Sequence, residues 1–492
     1  MAERCSPLLP KKEAFQLKTI TYSPKLRRIL SGKQLLRDEV LHLFTPQELE
    51  THLQSNHILY TPSIEKKKHS FRCMRCFNEQ SYLFYEQPCA RCKGPCIYCR
   101  NCINMGKASY CNPIVKWSGP EEDLLDPPQQ PILQWEGTLS IPQQKASDQL
   151  VRAVEEKRST LVHAVCGAGK TELLFQAAAK ALEKGQLVCI ATPRRDVVQE
   201  LFPRFQQTFP TIPIQALFGG SEHKNDVALL TIATTHQLYR FQQAFDVMVI
   251  DEVDAFPYHS DVTLQNAAQN ARKSSSTLIY LTATPSISLL QDVKKGILES
   301  IVIPARYHGY PLPVPETRWL GNWKKSIGKK QLPYSLRYWI ESRLAIKKRM
   351  MLFMPDIPMM LEVEALLRTY TDKIESVHAK DDKRSSKIDR MRRKELDILL
   401  TTTILERGVT FSNIDVAVLG AEQSIFTESA LVQIAGRAGR DFRFPFGTVA
   451  FFHFGHTEAI VQAQKHILRM NYRAKKDGLL KEKKHEPVPE LS

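Results

Sequence analysis

Eight residues in the second hundred of the chain have the types and order of a phosphate-binding loop. An apolar run, Thr160 to Val165, leads into the loop, and a helical pattern, Glu172 to Ala181, follows it. Small residues let backbone N–H groups close around the phosphates of a nucleotide, and the start of the helix favours negative charge. Lys170 would contact the β- and γ-phosphates, and the Thr171 hydroxyl would bind Mg²⁺. The segment therefore predicts an ATP and Mg²⁺ site formed by Ala164, Val165, Cys166, Gly167, Ala168, Gly169, Lys170 and Thr171.

A pair of adjacent carboxylates follows a second apolar run. Asp251 and Glu252 come directly after Val247 to Ile250 and begin the segment Asp-Glu-Val-Asp. A carboxylate at the C-terminal end of a parallel strand points into the crevice where ligands bind. We expect Asp251 to hold Mg²⁺ through water, and Glu252 to orient and deprotonate the water that attacks the γ-phosphate.

Two arginines near residue 440 complete a set of groups for phosphoryl transfer. Arg437 and Arg440 lie three residues apart, so a helix would place them on one face. The planar guanidinium donates hydrogen bonds in pairs and stays protonated, which suits the charge that develops on a transferred phosphoryl group. We expect Arg440 to act as an arginine finger with Arg437 as its partner. The hydroxyls of Thr282 and Thr284 follow another strand-like run and are expected to relay between the two halves of the chain.

Eight of the eleven cysteines fall within 39 residues, mostly in C-x₂-C pairs. Such a pair turns the chain so that two thiolates face one cation, and two pairs complete a tetrahedral zinc site. Two arrangements fit the spacing. Cys73, Cys76, Cys89 and Cys92 could bind one zinc, with Cys96, Cys99, Cys102 and Cys111 binding a second. Alternatively, Cys73, Cys76, Cys99 and Cys102 form one site and the other four are auxiliary.

Composition limits the class of protein. The chain has 68 Lys and Arg against 52 Asp and Glu, a formal charge of +16, and this excess favours nucleic acid or an acidic membrane surface as partner. It contains no apolar run of about 20 residues and no signal-peptide pattern at its start. We therefore expect a cytoplasmic protein, in which clustered cysteines indicate metal binding before disulfides.

Alternating strand-like and helical patterns predict two α/β lobes in tandem, each with a parallel sheet. The expected strands of the first lobe are Leu161–Val165, Leu187–Ala191, Val227–Ala233, Val247–Ile250 and Thr277–Leu281. Those of the second are Met350–Phe353, Ile374–His378, Leu396–Thr401, Val416–Leu419 and Thr448–Phe452. The expected domains are a partly helical region (1–70), a zinc-binding module (71–115), a linker (116–138), lobe 1 (139–305), a hinge (306–335), lobe 2 (336–455) and a basic helix and tail (456–492).

Residues 139–455 resemble superfamily 2 helicases. The phosphate loop has the form A-x-x-G-x-G-K-T, and Asp-Glu-Val-Asp, Thr-Ala-Thr, the segment 401–410 and Gln433 to Arg440 follow in the family's order. The resemblance implies RecA-like lobes with ATP between them. Gln143 looks like the upstream glutamine that reads adenine. Phosphates of a DNA strand would lie along both lobes at Thr192, Thr234 and Thr402.

With the cysteine module in front, the chain more narrowly resembles the late competence ComFA family of Gram-positive bacteria. The phrases that carry this resemblance are Cys99–Cys102, Pro193–Val198 and Thr403–Phe411. It implies a DNA-dependent ATPase at the cytoplasmic face of the membrane that helps to pull single-stranded transforming DNA into the cell. The implied partners are the competence proteins ComFC and DprA. We also expect a peripheral contact with the inner membrane face or the DNA-uptake channel, and association with a second copy of the chain. The resemblance also favours Cys73, Cys76, Cys99 and Cys102 as the central metal site.

Two rival functions remain open at this point. One is a duplex-unwinding helicase like the replication restart protein PriA, which also combines paired cysteines with this type of motor. The other is a scaffold that binds nucleotide without turnover, although intact catalytic groups argue against it. The roles of two predicted surfaces, one in the cysteine module and one on the last helix, also remain open. The aromatic residues of the cysteine module could stack bases or fill its small core, and the basic face of the last helix, Lys465, Arg469, Arg473 and Lys476, could bind DNA or acidic lipid or be merely solvated.

Overall fold

The computed structural model describes residues 22–120, 131–221 and 228–481. Several predicted features lie outside these ranges: the first 21 residues, the acidic and proline-rich part of the linker at 121–130, the strand start at Val227, and the end of the basic tail. Among the described residues, no helix combines the length and the apolar character needed to cross a bilayer.

Residues 22–117 form an N-terminal unit around the cysteines. Its three-stranded antiparallel sheet has the order β1-β7-β2, so strands from before and after the cysteine region pair with each other. The domain limit expected at residue 70 falls in the turn of the hairpin formed by β3 and β4. The elements are α1 (Pro24–Leu30), β1 (Leu35–Leu36), α2 (Arg37–Leu41), α3 (Pro46–Gln54), β2 (Ile58–Thr61), β3 (Ile64–Lys66), β4 (Phe71–Cys73), β5 (Phe84–Cys89), β6 (Gly94–Cys99) and β7 (Ile114–Trp117).

Lobe 1 is a seven-stranded parallel sheet with helices on its faces. Its central strands are buried almost throughout, as expected where both faces of a parallel sheet are covered. The strand order is β10-β11-β9-β12-β13-β8-β14. The elements are α4 (Ile141–Glu155), β8 (Ser159–Ala164), α5 (Lys170–Glu183), β9 (Val188–Thr192), α6 (Arg195–Thr208), β10 (Ile214–Leu217), β11 (Leu230–Thr234), β12 (Phe245–Asp251), α7 (Val262–Ala271), β13 (Arg272–Thr282), α8 (Ile287–Lys294) and β14 (Glu299–Ile303).

Lobe 2 repeats this plan with six parallel strands in the order β15-β20-β19-β16-β18-β17. The buried strand β16 and its neighbours form the centre of a core that includes Trp323 and Trp339. The elements are β15 (Glu316–Trp319), α9 (Trp323–Gly328), α10 (Tyr334–Ala345), β16 (Arg349–Phe353), α11 (Ile357–Leu367), β17 (Ile374–Val377), α12 (Arg384–Arg392), β18 (Ile398–Thr401), β19 (Ile414–Leu419), α13 (Glu428–Ala435), β20 (Val449–His453) and α14 (Glu458–Lys476).

The predicted fold class, two tandem RecA-like lobes with parallel sheets behind a cysteine-rich module, is confirmed. Each of the ten predicted strands overlaps a strand of one of the two sheets. Strands β10, β14 and β15 of these sheets were not predicted from the sequence, and all three lie at sheet edges. Edge strands are less completely buried than central strands, so they lack the continuous apolar run that identifies the others.

The segments expected to be a hinge and a tail contribute elements to lobe 2. Residues 306–335 contain β15, which pairs with β20, and helix α9. Helix α14 packs against α13 through Ile460, Ile467 and Met470. Its basic side chains Lys465, Arg469, Arg473 and Lys476 are exposed on the opposite face, as expected.

Candidate functional site

A cavity of about 480 Å³ opens between the two lobes, and most of the predicted nucleotide-site residues line it. Both lobes contribute, so Lys170 of lobe 1 and Arg440 of lobe 2 face the same space. Ala164 and Val165 are buried at the end of β8 and the start of the loop, behind the lining. The predicted residues that line the cavity are Gln143, Cys166, Gly167, Ala168, Gly169, Lys170, Thr171, Asp251, Glu252, Arg437 and Arg440.

The phosphate loop has the backbone geometry that its glycines predicted. Gly167 and Gly169 have φ of 80° and 73°, a region that side chains with a Cβ disfavour. A Cβ on Gly169 would also come within 2.3 Å of the Gln143 amide nitrogen. Helix α5 begins at Lys170, so the first N–H groups of the helix lie next to the loop. The loop can therefore surround an anion with backbone donors.

Gln143 lies against the phosphate loop but uses its amide within the protein. Its oxygen accepts hydrogen bonds from the Ser140 N–H and hydroxyl, at 2.9 and 2.8 Å, and forms a capping box at the start of α4. Its nitrogen donates to the Ala168 carbonyl at 2.9 Å. In this conformation Gln143 stabilises the phosphate loop. Recognition of adenine by this residue stays a prediction.

Asp251 ends strand β12 and faces the cavity, where burial raises its pKa to about 7. The neighbouring Glu252 carboxylate contributes to this rise in pKa, whereas the charge of Lys170 opposes it. Two carboxylates and a lysine at the carboxyl edge of the sheet are a suitable environment for a divalent cation, because a cation offsets the repulsion between the carboxylates.

Asp254 joins the two lobes. Its carboxylate accepts hydrogen bonds from Thr282 and Thr284 of lobe 1, at 2.8 and 2.6 Å, and from Ser429 of lobe 2 at 2.6 Å. Arg407 of lobe 2 pairs with the same carboxylate at 2.5 Å and lies 3.6 Å from Glu252. Burial alone would raise the pKa of Asp254, but Arg407 and these hydroxyls hold it well below its usual range. Asp254 thus connects Thr282 and Thr284, the two residues that the sequence predicted to act between the lobes, to lobe 2 by hydrogen bonds.

The two arginines after α13 differ in what they contact. Arg437 is buried and donates to the carbonyls of Glu406 and Val409, and burial beside Arg440 lowers its pKa to about 9. Arg440 lines the cavity, where its guanidinium makes a long contact of 3.4 Å with the Val409 carbonyl. The geometry therefore leaves Arg440 better placed to reach a phosphate, while Arg437 holds the loop that carries Arg407.

Three residues near the cavity were missed by sequence analysis. Arg306 is 2% exposed and donates to the carbonyls of Ala438 and Gly439, next to Arg440. Arg204 of helix α6 lies 3.3 Å from the Thr171 hydroxyl, and Tyr307 donates its N–H to the Gly167 carbonyl at 2.9 Å. No motif marks these positions, because each acts through a contact between segments far apart in sequence.

The predicted nucleic-acid contacts in lobe 1 are adjacent but buried. Thr192 and Thr234 end neighbouring strands and are register partners across β9 and β11. The Thr192 hydroxyl is fully buried, whereas Thr234 as a residue is 8% exposed. Thr402, directly after β18 in lobe 2, is half-buried. Contact between the Thr192 hydroxyl and a phosphate would thus require a local rearrangement.

The eight clustered cysteines form two separate groups of four. Cys73, Cys76, Cys99 and Cys102 make one group, which we call cluster 1, and Cys89, Cys92, Cys96 and Cys111 make cluster 2. Within each group all sulfur atoms lie within 4.8 Å of one another. The pairing of Cys73, Cys76, Cys89 and Cys92 is therefore wrong, because the β5–β6 hairpin places Cys89 and Cys99 at opposite ends.

The sulfur spacing fits a tetrahedral metal. Sulfur pairs are 3.8 and 3.7 Å apart in cluster 1 and 3.7 Å apart in cluster 2. Four thiolates at about 2.3 Å from a central zinc would be separated by about 3.8 Å. The donor atoms, their number and their separation all suit zinc in both clusters.

Cluster 1 lies at the contact between the N-terminal unit and lobe 1. Asn101 donates to the Cys76 sulfur at 3.5 Å and to the Thr263 hydroxyl of α7 at 3.0 Å. A short 3₁₀ helix, Thr235–Arg240, follows Thr234 and reaches the same interface, where Arg240 pairs with Glu39 at 2.8 Å. The four cysteines share one apolar core with residues of lobe 1. This cluster is therefore built into the lobe 1 surface.

Paired RecA-like lobes with a phosphate loop, strand-end carboxylates and arginines around one cleft define a helicase-like ATPase of superfamily 2, which uses ATP and Mg²⁺. Residues 136–287 match the family model "Type III restriction enzyme, res subunit", residues 334–441 match "Helicase conserved C-terminal domain", and residues 16–116 match "Competence protein ComFA N-terminal domain". The solved DEAD-box helicase Mss116, bound to ssRNA and UDP-BeF, has a TM-score of 0.51 at 16% identity, covering 70% of this chain and 84% of that chain, and this likeness bears on the fold alone.

Relatives that are similar over most of the chain identify a narrower family. "Competence protein ComFA" of Bacillus subtilis (strain 168) is 44% identical over 93% of this chain and 98% of its own length. "Competence protein ComFA" of Streptococcus pneumoniae (strain ATCC BAA-255 / R6) is 38% identical over 89% of this chain and 98% of its own length. The chain belongs to the ComFA family of competence proteins.

Proposed function

We propose that the protein is a DNA-dependent ATPase and translocase that drives uptake of single-stranded transforming DNA into the cytoplasm. The observation that carries this proposal is the cleft shared by the lobes, into which Lys170, Glu252 and Arg440 all face. A nucleotide held from both sides can change the distance between the lobes when it is bound and hydrolysed. Family membership supports competence as the setting.

The residues of lobe 1 bind and activate the nucleotide in this proposal. The backbone N–H groups of residues 167–171 and the Lys170 ammonium bind the phosphates. Thr171 and Asp251 hold Mg²⁺, which neutralises phosphate charge when it is bound. Glu252 orients the attacking water and accepts its proton. Arg440 reaches the γ-phosphate from lobe 2 and stabilises the charge that develops there.

Closure of the cleft would be transmitted through Asp254. Asp254 lies three residues after Asp251, and its carboxylate pairs with Arg407. Arg407 follows Thr402 in the chain, and Thr402 comes directly after β18. A movement at the nucleotide therefore reaches the segment of lobe 2 that is expected to hold a DNA phosphate. Contacts to phosphates would make the grip independent of base sequence and sensitive to salt.

The partners and the location are proposed from the family and from surface charge. We propose ComFC and DprA as partners and a peripheral position at the cytoplasmic face of the membrane, near the DNA-uptake channel. The exposed basic face of α14 offers a contact for DNA or acidic lipid. Two lobes of one chain complete the cleft, and association of several copies is a further proposal.

We also propose that each cysteine cluster holds one zinc ion. Cluster 1 would attach the N-terminal unit to lobe 1, and cluster 2 would close the β5–β6 hairpin at its turn. The sulfur separations in both clusters support this assignment.

ATP turnover measured with single-stranded DNA, duplex DNA and RNA over a salt series tests the proposal. Single-stranded DNA should stimulate turnover most, the effect should weaken as salt rises, and Lys170→Ala should abolish it. The absence of turnover in the unchanged protein would favour a scaffold instead.

A strand-displacement assay on partial duplexes separates translocation from PriA-like unwinding, because only the latter requires release of the complementary strand.

A further inference from the structure

One face of the β5–β6 hairpin has an exposed tyrosine, Tyr85, beside the half-buried side chains of Tyr98 and Lys107. Tyr85 and Tyr98 are cross-strand partners with ring centroids 5.9 Å apart. The Lys107 ammonium lies 4.4 Å from the centroid of the Tyr98 ring. Tyr85 is 56% exposed, which is a large fraction for an aromatic residue within a strand. We refer to Tyr85, Tyr98 and Lys107 as the tyrosine face.

The hairpin does not need the tyrosine face for its own packing. Phe84 and Ile97 belong to the other face of the hairpin, where both contact the apolar core that contains cluster 1. Phe84 also packs on Phe71, with ring centroids 5.8 Å apart. Since these residues already fill the inner side, the outward tyrosines are available for a ligand. Phe84 and Phe71 are thus core residues, whereas Tyr85 lies on the face of the hairpin that points away from this core.

Positive charge surrounds the tyrosine face. Residues 64–111 contain nine Lys and Arg against three Glu. Lys93, at the hairpin turn, and Arg100, directly after β6, are exposed and have no carboxylate within 4 Å in the described part of the chain. By contrast, Arg91 is paired with Asp38 at 3.0 Å. Flat aromatic rings beside unpaired cations match unpaired bases joined by phosphates.

The attachment to lobe 1 places this surface beside the motor. Asn101, next to Arg100, donates to Thr263 of lobe 1. Gln34 donates to the carbonyl of Tyr239, which lies in the 3₁₀ helix that begins directly after Thr234. The N-terminal unit therefore has a defined position relative to the strand ends of lobe 1, and a nucleic acid bound to both would be held at two points.

We propose that the tyrosine face binds single-stranded nucleic acid by base stacking, as a second contact outside the cleft between the lobes. This inference rests on the proposed function, because it assumes that the motor moves a single strand. The bases would stack on Tyr85, while Lys107, Lys93 and Arg100 attract the phosphates. A strand would then stay attached to the protein when the cleft opens.

Fluorescence anisotropy with labelled oligothymidine tests the proposal on the full chain. Tyr85→Ala should raise the Kd about tenfold, because stacking of one base contributes about 1–3 kcal/mol and 1.4 kcal/mol is a factor of ten. Tyr85→Phe keeps the ring and should bind within about twofold of the unchanged protein. Tyr338→Ala, which removes a tyrosine that is 58% exposed on a lobe 2 helix, is the matched control and should have no effect.

A second oligonucleotide isolates stacking from folding defects. On an abasic strand of the same length and charge, the difference between Tyr85→Ala and the unchanged protein should disappear. Equal binding of oligothymidine by Tyr85→Ala and the unchanged protein would overturn the inference and favour a protein partner for this surface. A difference that persists on the abasic strand would also overturn it. DNA-stimulated ATP turnover by the unchanged protein reports separately on the proposed function.

Discussion

At the scale of single residues, buried charges concentrate where the lobes meet. The side chain of Arg407 is 2% exposed and that of Asp254 is 6% exposed, and the pair is completed by the Ser429 and Thr284 hydroxyls. Removing one partner of such a pair leaves the other buried without compensation, which costs more than the pair itself contributes. The contact between lobes is therefore selective for this one arrangement.

Arg407→Ala should lower the free energy of unfolding by about 3–5 kcal/mol, because Asp254 and Glu252 lose their common counter-charge. Urea denaturation followed by circular dichroism measures the change. Arg443→Ala is the control, since its side chain is 65% exposed and pairs with Asp441 at the surface. That substitution should leave the free energy of unfolding nearly unchanged, because solvent screens the pair. Equal losses in the two variants would contradict the assigned role of Arg407.

A buried histidine makes stability depend on pH. His163 precedes the phosphate loop, its Nε2 lies 3.1 Å from the Ala283 carbonyl, and its ring packs on His466. Burial, with smaller contributions from the nearby His466 and Lys170, lowers the pKa of His163 to about 3. The unfolded chain takes up a proton near pH 6.5 while the folded chain does not, so stability is lost as pH falls from about 6.5 toward 3.

His163→Gln should reduce this acid sensitivity. Between pH 7 and pH 5 the buried neutral histidine costs about 2 kcal/mol, and glutamine can still donate to the Ala283 carbonyl without titrating. The difference between unfolding free energies at the two pH values should shrink by that amount. His259→Gln, at an exposed position, should leave the difference unchanged. An unaltered pH dependence in His163→Gln would show that the histidine is protonated in the folded protein.

At the scale of elements, the two cysteine clusters differ in burial and in their contact with lobe 1. Cluster 1 is buried and shares a core with lobe 1, whereas Cys89, Cys92 and Cys111 of cluster 2 are half-exposed. We propose domain limits that follow these contacts: one N-terminal unit over residues 22–117, and a second lobe that includes β15 and α14.

Cys99→Ser and Cys111→Ser should each remove one of two zinc ions, measured by inductively coupled plasma mass spectrometry. Cys99→Ser should also lower the melting temperature of the calorimetric transition, because cluster 1 supports the 3₁₀ helix and α7 of lobe 1. A decrease of about 2 kcal/mol in the free energy of unfolding lowers the melting temperature by about 4–8 °C in a domain the size of lobe 1. Cys111→Ser should change the transition much less. Identical melting curves for both variants would contradict the attachment of cluster 1 to lobe 1.

At the scale of the whole molecule, the cleft joins groups separated by more than 260 residues in the chain. The phosphate loop touches lobe 2 directly, since Cys166 donates to the Gln433 side chain at 3.0 Å. A Cβ on Gly436 would come within 2.4 Å of the Cys166 Cβ, so a glycine is needed for this approach. The structure thus has its lobes in contact around the proposed nucleotide site.

Arg440→Ala should separate nucleotide binding from turnover. The Lys170 side of the cleft remains intact, so binding of a fluorescent ATP analogue should change only a few-fold. The rate constant of DNA-stimulated hydrolysis should fall by about 10³-fold, as expected for loss of an arginine finger. Arg443→Ala, three residues further along, is the matched control. If Arg440→Ala retains most of its turnover, another residue stabilises the transferred phosphoryl group.

The amino-acid sequence by itself determined the local parts of this protein. Central strands, the phosphate loop, the carboxylates after β12 and the paired cysteines were all predictable, because burial on both faces, positive φ and metal ligation each demand particular residue types at close spacing. The edge strands β10, β14 and β15 were not predictable in this way, since partial burial leaves only a weak pattern.

The tertiary structure decided which distant groups meet. The fold decides between the two cysteine arrangements that the spacing left open, and it groups Cys73 and Cys76 with Cys99 and Cys102. Only the fold shows that Arg306 contacts the carbonyls beside Arg440 and that Arg407 joins Asp254. It also places the Thr192 hydroxyl in the interior rather than at the surface. These outcomes depend on how sheets, hairpins and lobes stack, and residue spacing along the chain contains no measure of that packing.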